Sequence, residues 1–423
     1  MKWAAVLPIL VLLAMIAGCD RKDGNDRNSG TVIVFKHGKI AGDPIILRGL
    51  LDSFEAENPG IKLRDETLPS SSDEQHQFYV INLEGKSADF DVLSLDVIWV
   101  PEFARAGWLS DLSRLFPPDE RNDFFPGPVS AVTWERKVFA VPWYIDAGLL
   151  YYRCDILEKY GLSPPRTWPE LVAQARRITS AEKGLYGFIW QGKQYEGLVC
   201  NALEYLRSNN GDVLRNGEVA IDSPENVAAL SFMRDLIARY GVSPPLVTTA
   251  SEETTRHIFG NGRALFMRNW PYAWNLFQDK GSMVRGKVGV APLPAFQVGR
   301  SAPTLGGWQL GVNRYSRHQE AAFRLVRFLT APEAQKLLCL KVGYKPTRVS
   351  LYADRELQKS QPFIASLCDI FMTARPRPVT PYYMMFTQVM QPELSAALAG
   401  VRPPEAALRS AGRQMRHILG GVR

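Results

Sequence analysis

The chain has 423 residues, 46% of them hydrophobic and 22% charged, which is ordinary globular composition with length enough for two lobes and sizeable cores. The formal net charge is +7, but Lys and Arg are scattered without a long basic run, so the charge pattern gives no support for nucleic acid as a partner. A phosphate-cradling G-x-x-x-x-G-K-[ST] loop, a G-x-G-x-x-G turn after a strand and a G-x-S-x-G nucleophile elbow are all missing, as is any H-x-x-x-H or C-x-x-C pair. No cofactor and no metal is therefore expected. Carboxylates are plentiful, so a glycosidase pair stays open as an enzymatic alternative.

The first segment, "MKWAAVLPILVLLAMIAGCD", carries an apolar run from Trp3 to Ala17. That run is short for a membrane span, which needs about 20 residues, and suits the hydrophobic region of a secretory signal. Ile16-Ala17-Gly18-Cys19 resembles a bacterial lipobox, in which the Cys becomes the lipid-modified first residue. The expectation is a signal peptide over 1–18, lipidation at Cys19 and a polar tether over 19–30. It places the body on the periplasmic side of the cell membrane, held by its anchor.

From Thr31 the pattern alternates. "TVIVF" reads as a buried strand. Asp43-Pro44 opens a helix with Asp at the N-cap and Pro at N1, followed by a stripe of Ile46, Leu50 and Phe54, and "NPG" stops it. "IKLRDE" is the next strand, "DFDVLSLDVIWV" (89–100) a third, and "VPEFARAGWL" a helix leading away. Thr167-x-x-Glu170 and Thr330-x-x-Glu333 read as capping boxes. Ser223-Pro224 opens a long amphipathic helix closed by Gly241. "ALFMRNW" is a strand, with Pro271 placed to start a helix; "GKVGVAPLPAF" is extended, and "TLGGWQLGV" is a strand interrupted by glycine. Such alternation predicts an α/β fold with parallel sheets, and ligands in these folds bind beyond the carboxyl ends of strands. Cys154, Cys200, Cys339 and Cys368 are widely spaced; oxidising surroundings would permit disulfides that the sequence does not pair, and buried free thiols are the simpler reading.

Polar and aromatic residues gather at those strand ends. Asp96 sits in an apolar run, where an unpaired charge is costly, so a function or the end of a strand is expected there. Asp43 caps its helix, meets a ligand, or both. Tyr144 and Asp146 lie in "VPWYIDAG", and Asp146 also suits a turn. In "RNWPYAW", Trp270 and Tyr272 are candidates for a ligand platform or for core, and Trp274 is expected to pack. Trp308 follows Gly306-Gly307, where glycines permit close approach. Arg377 lies in the proline-stiffened "ARPRPVTPYY" and is expected to be displayed. Aromatic rings stack on the apolar face of a sugar, while carboxylates and Arg bond its hydroxyls.

The stretches "FEAENPGIKL", "DVLSLDVIWVPEFARAGWL", "VPWYIDAGLLYYRCDILEKYG", "YGFIWQGKQYEGLVCNALEY", "FMRNWPYAW", "KVGVAPLP", "TLGGWQLGV" and "RPRPVTPYY" occur in this order along nearly the whole chain. Together they resemble the extracellular solute-binding proteins of ABC importers, the maltose/trehalose-binding group in particular. The resemblance implies two α/β lobes, each a mainly parallel sheet flanked by helices, with a hinge between them that closes on ligand. The first lobe would comprise 31–143 and 297–345, the second 144–296 and 346–423, with crossings near 143–150, 292–297 and 345–350. It implies a monomeric receptor without catalysis, a disaccharide ligand and a permease partner. Asp43 and Asp96 would bond sugar hydroxyls, and Tyr144 and Asp146 would contact the disaccharide. Trp270 and Tyr272 would stack on a glucose ring, Gly306 and Trp308 would close another side, and Arg377 would donate. Two departures stand out. His76-Gln77 replaces a basic pair, and Asp43 is one methylene shorter than the usual Glu. Receptors for another oligosaccharide or a polyol, and a sensor-linked receptor, remain alternatives.

Overall fold

The computed structural model describes residues 30–421. The signal segment, Cys19 and the tether up to residue 29 lie outside the described residues. In chain order the strands are β1 (Thr31–His37), β2 (Ile61–Thr67), β3 (Val92–Asp96), β4 (Thr133–Trp134), β5 (Lys137–Val138), β6 (Ala140–Ala147), β7 (Leu149–Arg153), β8 (Tyr186–Ile189), β9 (Leu214–Arg215), β10 (Glu218–Val219), β11 (Ala264–Asn269), β12 (Val288–Pro292), β13 (Leu305–Val312) and β14 (Lys345–Pro346). β4–β5 and β9–β10 are small hairpins. The others form a six-stranded sheet, ordered β14-β6-β13-β3-β1-β2, and a four-stranded sheet, ordered β12-β7-β11-β8.

The helices cover these sheets by burying apolar stripes. The helix Ile45–Glu57 buries Leu47, Leu50, Leu51 and Phe54. Ile46 is only half-buried, so the stripe lies one position round from the expected one. Phe54 meets Phe328 of the helix Gln319–Leu329 edge-on at 5.4 Å. Thr167 and Glu170 form the expected capping box. Ser223 Oγ accepts from the Asn226 N–H, and Gly241 follows that helix at φ +63°. Thr330 and Glu333 do not form a box: Ala331 is the N-cap, and the Thr330 hydroxyl turns back to the Val326 carbonyl of the preceding helix. β3 ends at Asp96, earlier than the apolar run suggested, and a turn leads into the helix Val100–Arg105.

Both sheets are mixed rather than mainly parallel. β1 pairs parallel with β2 and β3, and β11 with β8, while the remaining pairings of these sheets are antiparallel. Local β-helix-β units do give parallel neighbours. β13, however, reaches the six-stranded sheet from β12 of the other one, and a chain returning from a second sheet enters in the opposite sense.

The first crossing is Gly148, between β6 and β7. The second is 293–304, between β12 and β13. The third differs from the expected 345–350. The helix Ile364–Thr373 still packs on β6, and the helix Tyr383–Leu398 is the first to pack on the helices Glu196–Ser208 and Pro224–Ala238. The chain therefore crosses at 374–382, beside the second crossing: Leu305 donates to the Arg375 carbonyl at 2.8 Å and Arg375 to that of Pro303 at 3.0 Å.

Cys154, Cys200, Cys339 and Cys368 are free thiols, Cys200 and Cys339 buried and the other two half-buried.

Gly148 abuts a fully buried ion pair, Arg268–Glu204, whose shortest contact is 2.5 Å. A Cβ on Gly148 would lie 2.0 Å from Glu204 Oε1 and 2.8 Å from Arg268 Nη2. Gly148→Ala should therefore separate the pair and cost about 3–5 kcal/mol of folding stability. Denaturant titration checks this, and a wild-type midpoint would refute it.

Candidate ligand-binding site at the junction of the sheets

Strand register assembles the site. Trp308 of β13 pairs with Asp96 of β3 on one side and Tyr144 of β6 on the other, and β14 adds Pro346 beside Tyr144. Gly306 pairs with Asp146. Between these pairs and the next the register slips: Trp308 opposes Tyr144, but Gln309 opposes Pro142, leaving Trp143 as an extra residue. A bulge of this kind bends the strand and re-aims its side chains. Gly307 sits beside it at φ +114°, and a Cβ there would lie 2.4 Å from the Tyr144 carbonyl.

Trp308 is half-buried and stands edge-on to the buried Trp99 at 5.5 Å and 88°. Tyr144 stacks on Tyr344 at 4.0 Å and 16°. The Tyr344 hydroxyl accepts from the Ala41 N–H at 3.1 Å, which brings the loop ahead of Asp43 to this stack. Asp43 itself is exposed, and its carboxylate accepts from the Ile45 N–H at 3.0 Å. The expected cap shifts by one residue: the helix starts at Ile45 with Pro44 as its N-cap, and Asp43 stands just ahead of it.

Asp146 differs from the other carboxylates here. Its Oδ1 is buried and has no hydrogen-bond partner among the described residues. Burial pushes its pKa up to about 7, against the pull of Lys345 and Arg268 and with a further push from Asp96.

The "RNWPYAW" segment contributes from the four-stranded sheet, and its residues divide. Arg268 is fully buried, grips Glu204 with two nitrogens and lies 3.9 Å from the Trp270 ring centroid. Trp270 is half-buried. Its indole N–H donates to Glu252 at 3.3 Å, and its carbonyl accepts from the Tyr151 hydroxyl at 2.8 Å. A Cβ on Gly306 would come within 3.1 Å of its ring, so glycine at 306 lets the two sheets meet. Tyr272 is also half-buried, and its hydroxyl donates to Glu253 at 2.9 Å. Trp274 packs edge-on against Phe363 at 4.5 Å. The helix after Pro271 is short, Ala273–Phe277, with Tyr272 as its N-cap.

Arg377 overturns its expectation. It is buried, at 4% exposure, rather than displayed. One nitrogen donates to Asp96 at 2.6 Å and another to Glu196 at 2.8 Å, while its Nε is buried without a partner among the described residues. Burial opposes the charge, but the two carboxylates outweigh it and hold the pKa well above the ordinary arginine value. The sequence reading missed this because proline stiffens 376–378 without deciding which way the side chain turns.

Glu196 was also missed. It opens the helix Glu196–Ser208, all of whose residues are buried. A carboxylate in the first turn of a mostly apolar helix, on one helical face with Cys200, Glu204 and Arg207, was the available signal. Burial raises the Glu196 pKa while Arg377 opposes. His76, at a position of departure, bonds Glu102 at 2.8 Å and packs against the stacked Trp99 and Phe103 rings.

The family model for bacterial extracellular solute-binding proteins matches residues 41–336. A probable ABC transporter-binding protein of Deinococcus radiodurans is 39% identical over 375 residues, covering 86% of this chain and 88% of the relative. A maltotriose-binding protein of Pyrococcus abyssi is 25% identical over 341 residues, 79% of this chain and 70% of the relative. Among solved structures, maltose-bound MalE3 of T. maritima superposes with a TM-score of 0.88 at 45% identity, covering 92% of this chain and all of that one. A D-mannitol-bound ABC transporter solute-binding protein of Agrobacterium vitis gives 0.80 at 26% identity, covering 92% and 99%. These neighbours share the two-lobed architecture, and the chain belongs to the family of bacterial extracellular solute-binding proteins.

Proposed function

We propose that this protein is the lipid-anchored receptor of an ABC sugar importer and captures an α-linked disaccharide of the maltose or trehalose type between its lobes. The carrying observation is the pairing of two half-buried tryptophans, Trp270 and Trp308, with a buried carboxylate oxygen of Asp146 that has no partner among the described residues. Indole faces suit the apolar face of a pyranose, and an acceptor already stripped of water suits a hydroxyl. Asp96 and Arg377 supply further polar contacts, and Tyr144 and Gly306 border the same strands. Asp43 and Tyr272, each engaged locally, would join as the lobes close. In this reading 31–147 and 305–373 make one lobe, and 149–292 and 383–421 the other. The receptor works as a monomer and hands its ligand to the permease. The maltose-bound neighbour at 45% identity supports the ligand class. A linear polyol is the second reading, favoured by the D-mannitol complex.

Isothermal titration with maltose, trehalose and mannitol tests the ligand. Trp308→Ala and Asp146→Ala should each weaken disaccharide binding by about tenfold or more, the loss usual for a buried anchor residue. Wild-type affinity in both variants would remove the assigned site, and binding of mannitol alone would replace the disaccharide by a polyol.

Asp146 also predicts a pH dependence. Its folded pKa is raised above the ordinary 3.8 to about 7, so the stability it contributes to the ligand-free protein is lost as pH rises through that window. A ligand hydroxyl donating to the carboxylate favours the ionised form, so affinity should rise across the same range. Asp146→Asn should flatten the thermal-stability profile between about pH 4 and 7. Parallel profiles for wild type and variant would refute the assignment.

For the anchor, Cys19→Ser should move the protein from the membrane fraction to the soluble one; unchanged partition would rule out lipidation at Cys19.

A further inference from the structure

We propose that Glu196 is a positioning residue for ligand binding, holding the Arg377 guanidinium at the one orientation in which it spans both lobes. This rests on the disaccharide reading above and adds a residue to it.

Three donors converge on the Glu196 carboxylate. Oε1 accepts from Arg377 Nη1 at 2.8 Å and from the Tyr383 hydroxyl at 2.7 Å, and Oε2 accepts from the Thr387 hydroxyl. Glu196 lies in the helix that opens beside the four-stranded sheet, and Tyr383 and Thr387 share the helix that packs on it. Arg377 therefore has a fixed attachment on one lobe. Its other terminal nitrogen reaches Asp96, at the end of β3 in the opposite sheet. The chain of contacts continues from Thr387 to Gln391 at 3.2 Å, and from Gln391 to Asp73 of the first lobe at 3.4 Å.

A buried ion triad adds little net stability, because desolvation offsets much of the attraction. What it does provide is direction. A guanidinium is planar, so fixing one terminal nitrogen and the plane fixes the other two nitrogens. With Nη1 on Glu196 and Nη2 on Asp96, the Nε–H is left as a buried donor without a partner among the described residues. Glutamine at 196 would keep the volume but remove the charge that holds the guanidinium, and its NH₂ would face either Arg377 and Tyr383 or the Thr387 hydroxyl, which would then have to turn its own proton elsewhere. That would weaken the hold on Arg377 without opening a cavity.

The test is a double-mutant cycle on binding, with maltose, trehalose and mannitol as probes, using wild type, Glu196→Gln, Arg377→Ala and the double variant. Glu196→Gln should weaken binding at least tenfold in the wild-type background and less than twofold with Arg377 absent. Equal losses in both backgrounds, or no loss in the first, would overturn the proposal. If Glu196→Gln fails to fold, Thr387→Val replaces it, with a several-fold loss expected that again vanishes in Arg377→Ala. A readout independent of ligand is the ¹⁵N-¹H resonance of the Arg377 Nε–H, assigned by its disappearance in Arg377→Lys. It should be protected from exchange in wild type and lose that protection when Glu196 or Thr387 is changed; unaltered protection refutes the positioning role. If no probe binds wild type, the functional reading falls, and the resonance still decides the role of Glu196.

Discussion

A guanidinium buried between two carboxylates from opposite sides of the molecule is the constraint on which the site depends. Arg377 enters on the third crossing, bonds Asp96 at the end of β3 and bonds Glu196 at the start of a fully buried helix. Neither carboxylate would be tolerated so deep without a partner, and one arginine serves both. The arrangement explains why Asp96 can end its strand inside an apolar run, and how a carboxylate can open the fully buried helix at Glu196.

A second buried pair performs a related task at the crossings. Arg268 and Glu204 lie against Gly148, where the chain leaves the six-stranded sheet, and Glu204 also accepts from the Thr304 N–H at 3.3 Å, where it returns. Arg207 donates to the Arg375 carbonyl at 3.1 Å, tying the third crossing to the same helix. All three connections between the sheets thus meet charged groups of the helix Glu196–Ser208. Extended crossing segments carry backbone groups that no regular ladder satisfies, and this helix supplies side-chain partners for two of them, the Thr304 N–H and the Arg375 carbonyl.

Tryptophans show how location separates chemically identical side chains. Trp168 and Trp190 are enclosed, and each gives its indole N–H to a serine hydroxyl, of Ser208 and Ser243 respectively. Trp99 is enclosed as well and packs perpendicular to Trp308. Trp274 is spent on Phe363. Trp270 and Trp308 keep exposed surface, and both adjoin the glycine pair 306–307: one through the close approach to Gly306, the other as the next residue after Gly307. The glycines are what allow indole rings from two sheets to stand at one junction.

Much of the local structure was legible in the sequence because it depends on neighbours in the chain. The capping box at Thr167, the Ser223 cap, the apolar strands β1 and β11 and the glycine break before Trp308 follow from hydrogen bonds and dihedral limits spanning a few residues. The order of motifs along the chain likewise carried the two-lobed fold. Tertiary structure alone decided the rest. It made the sheets mixed, because β13 enters the six-stranded sheet, and β7 the four-stranded one, directly from the other sheet instead of through a local helix. It moved the third crossing to 374–382, because the helix Ile364–Thr373 had apolar surface to bury on β6. It turned Arg377 inward and recruited Glu196, because two buried carboxylates far apart in sequence required one cation between them. Periodicity and capping report on the next few residues; where a buried charge finds its partner depends on which distant strand ends the fold brings together.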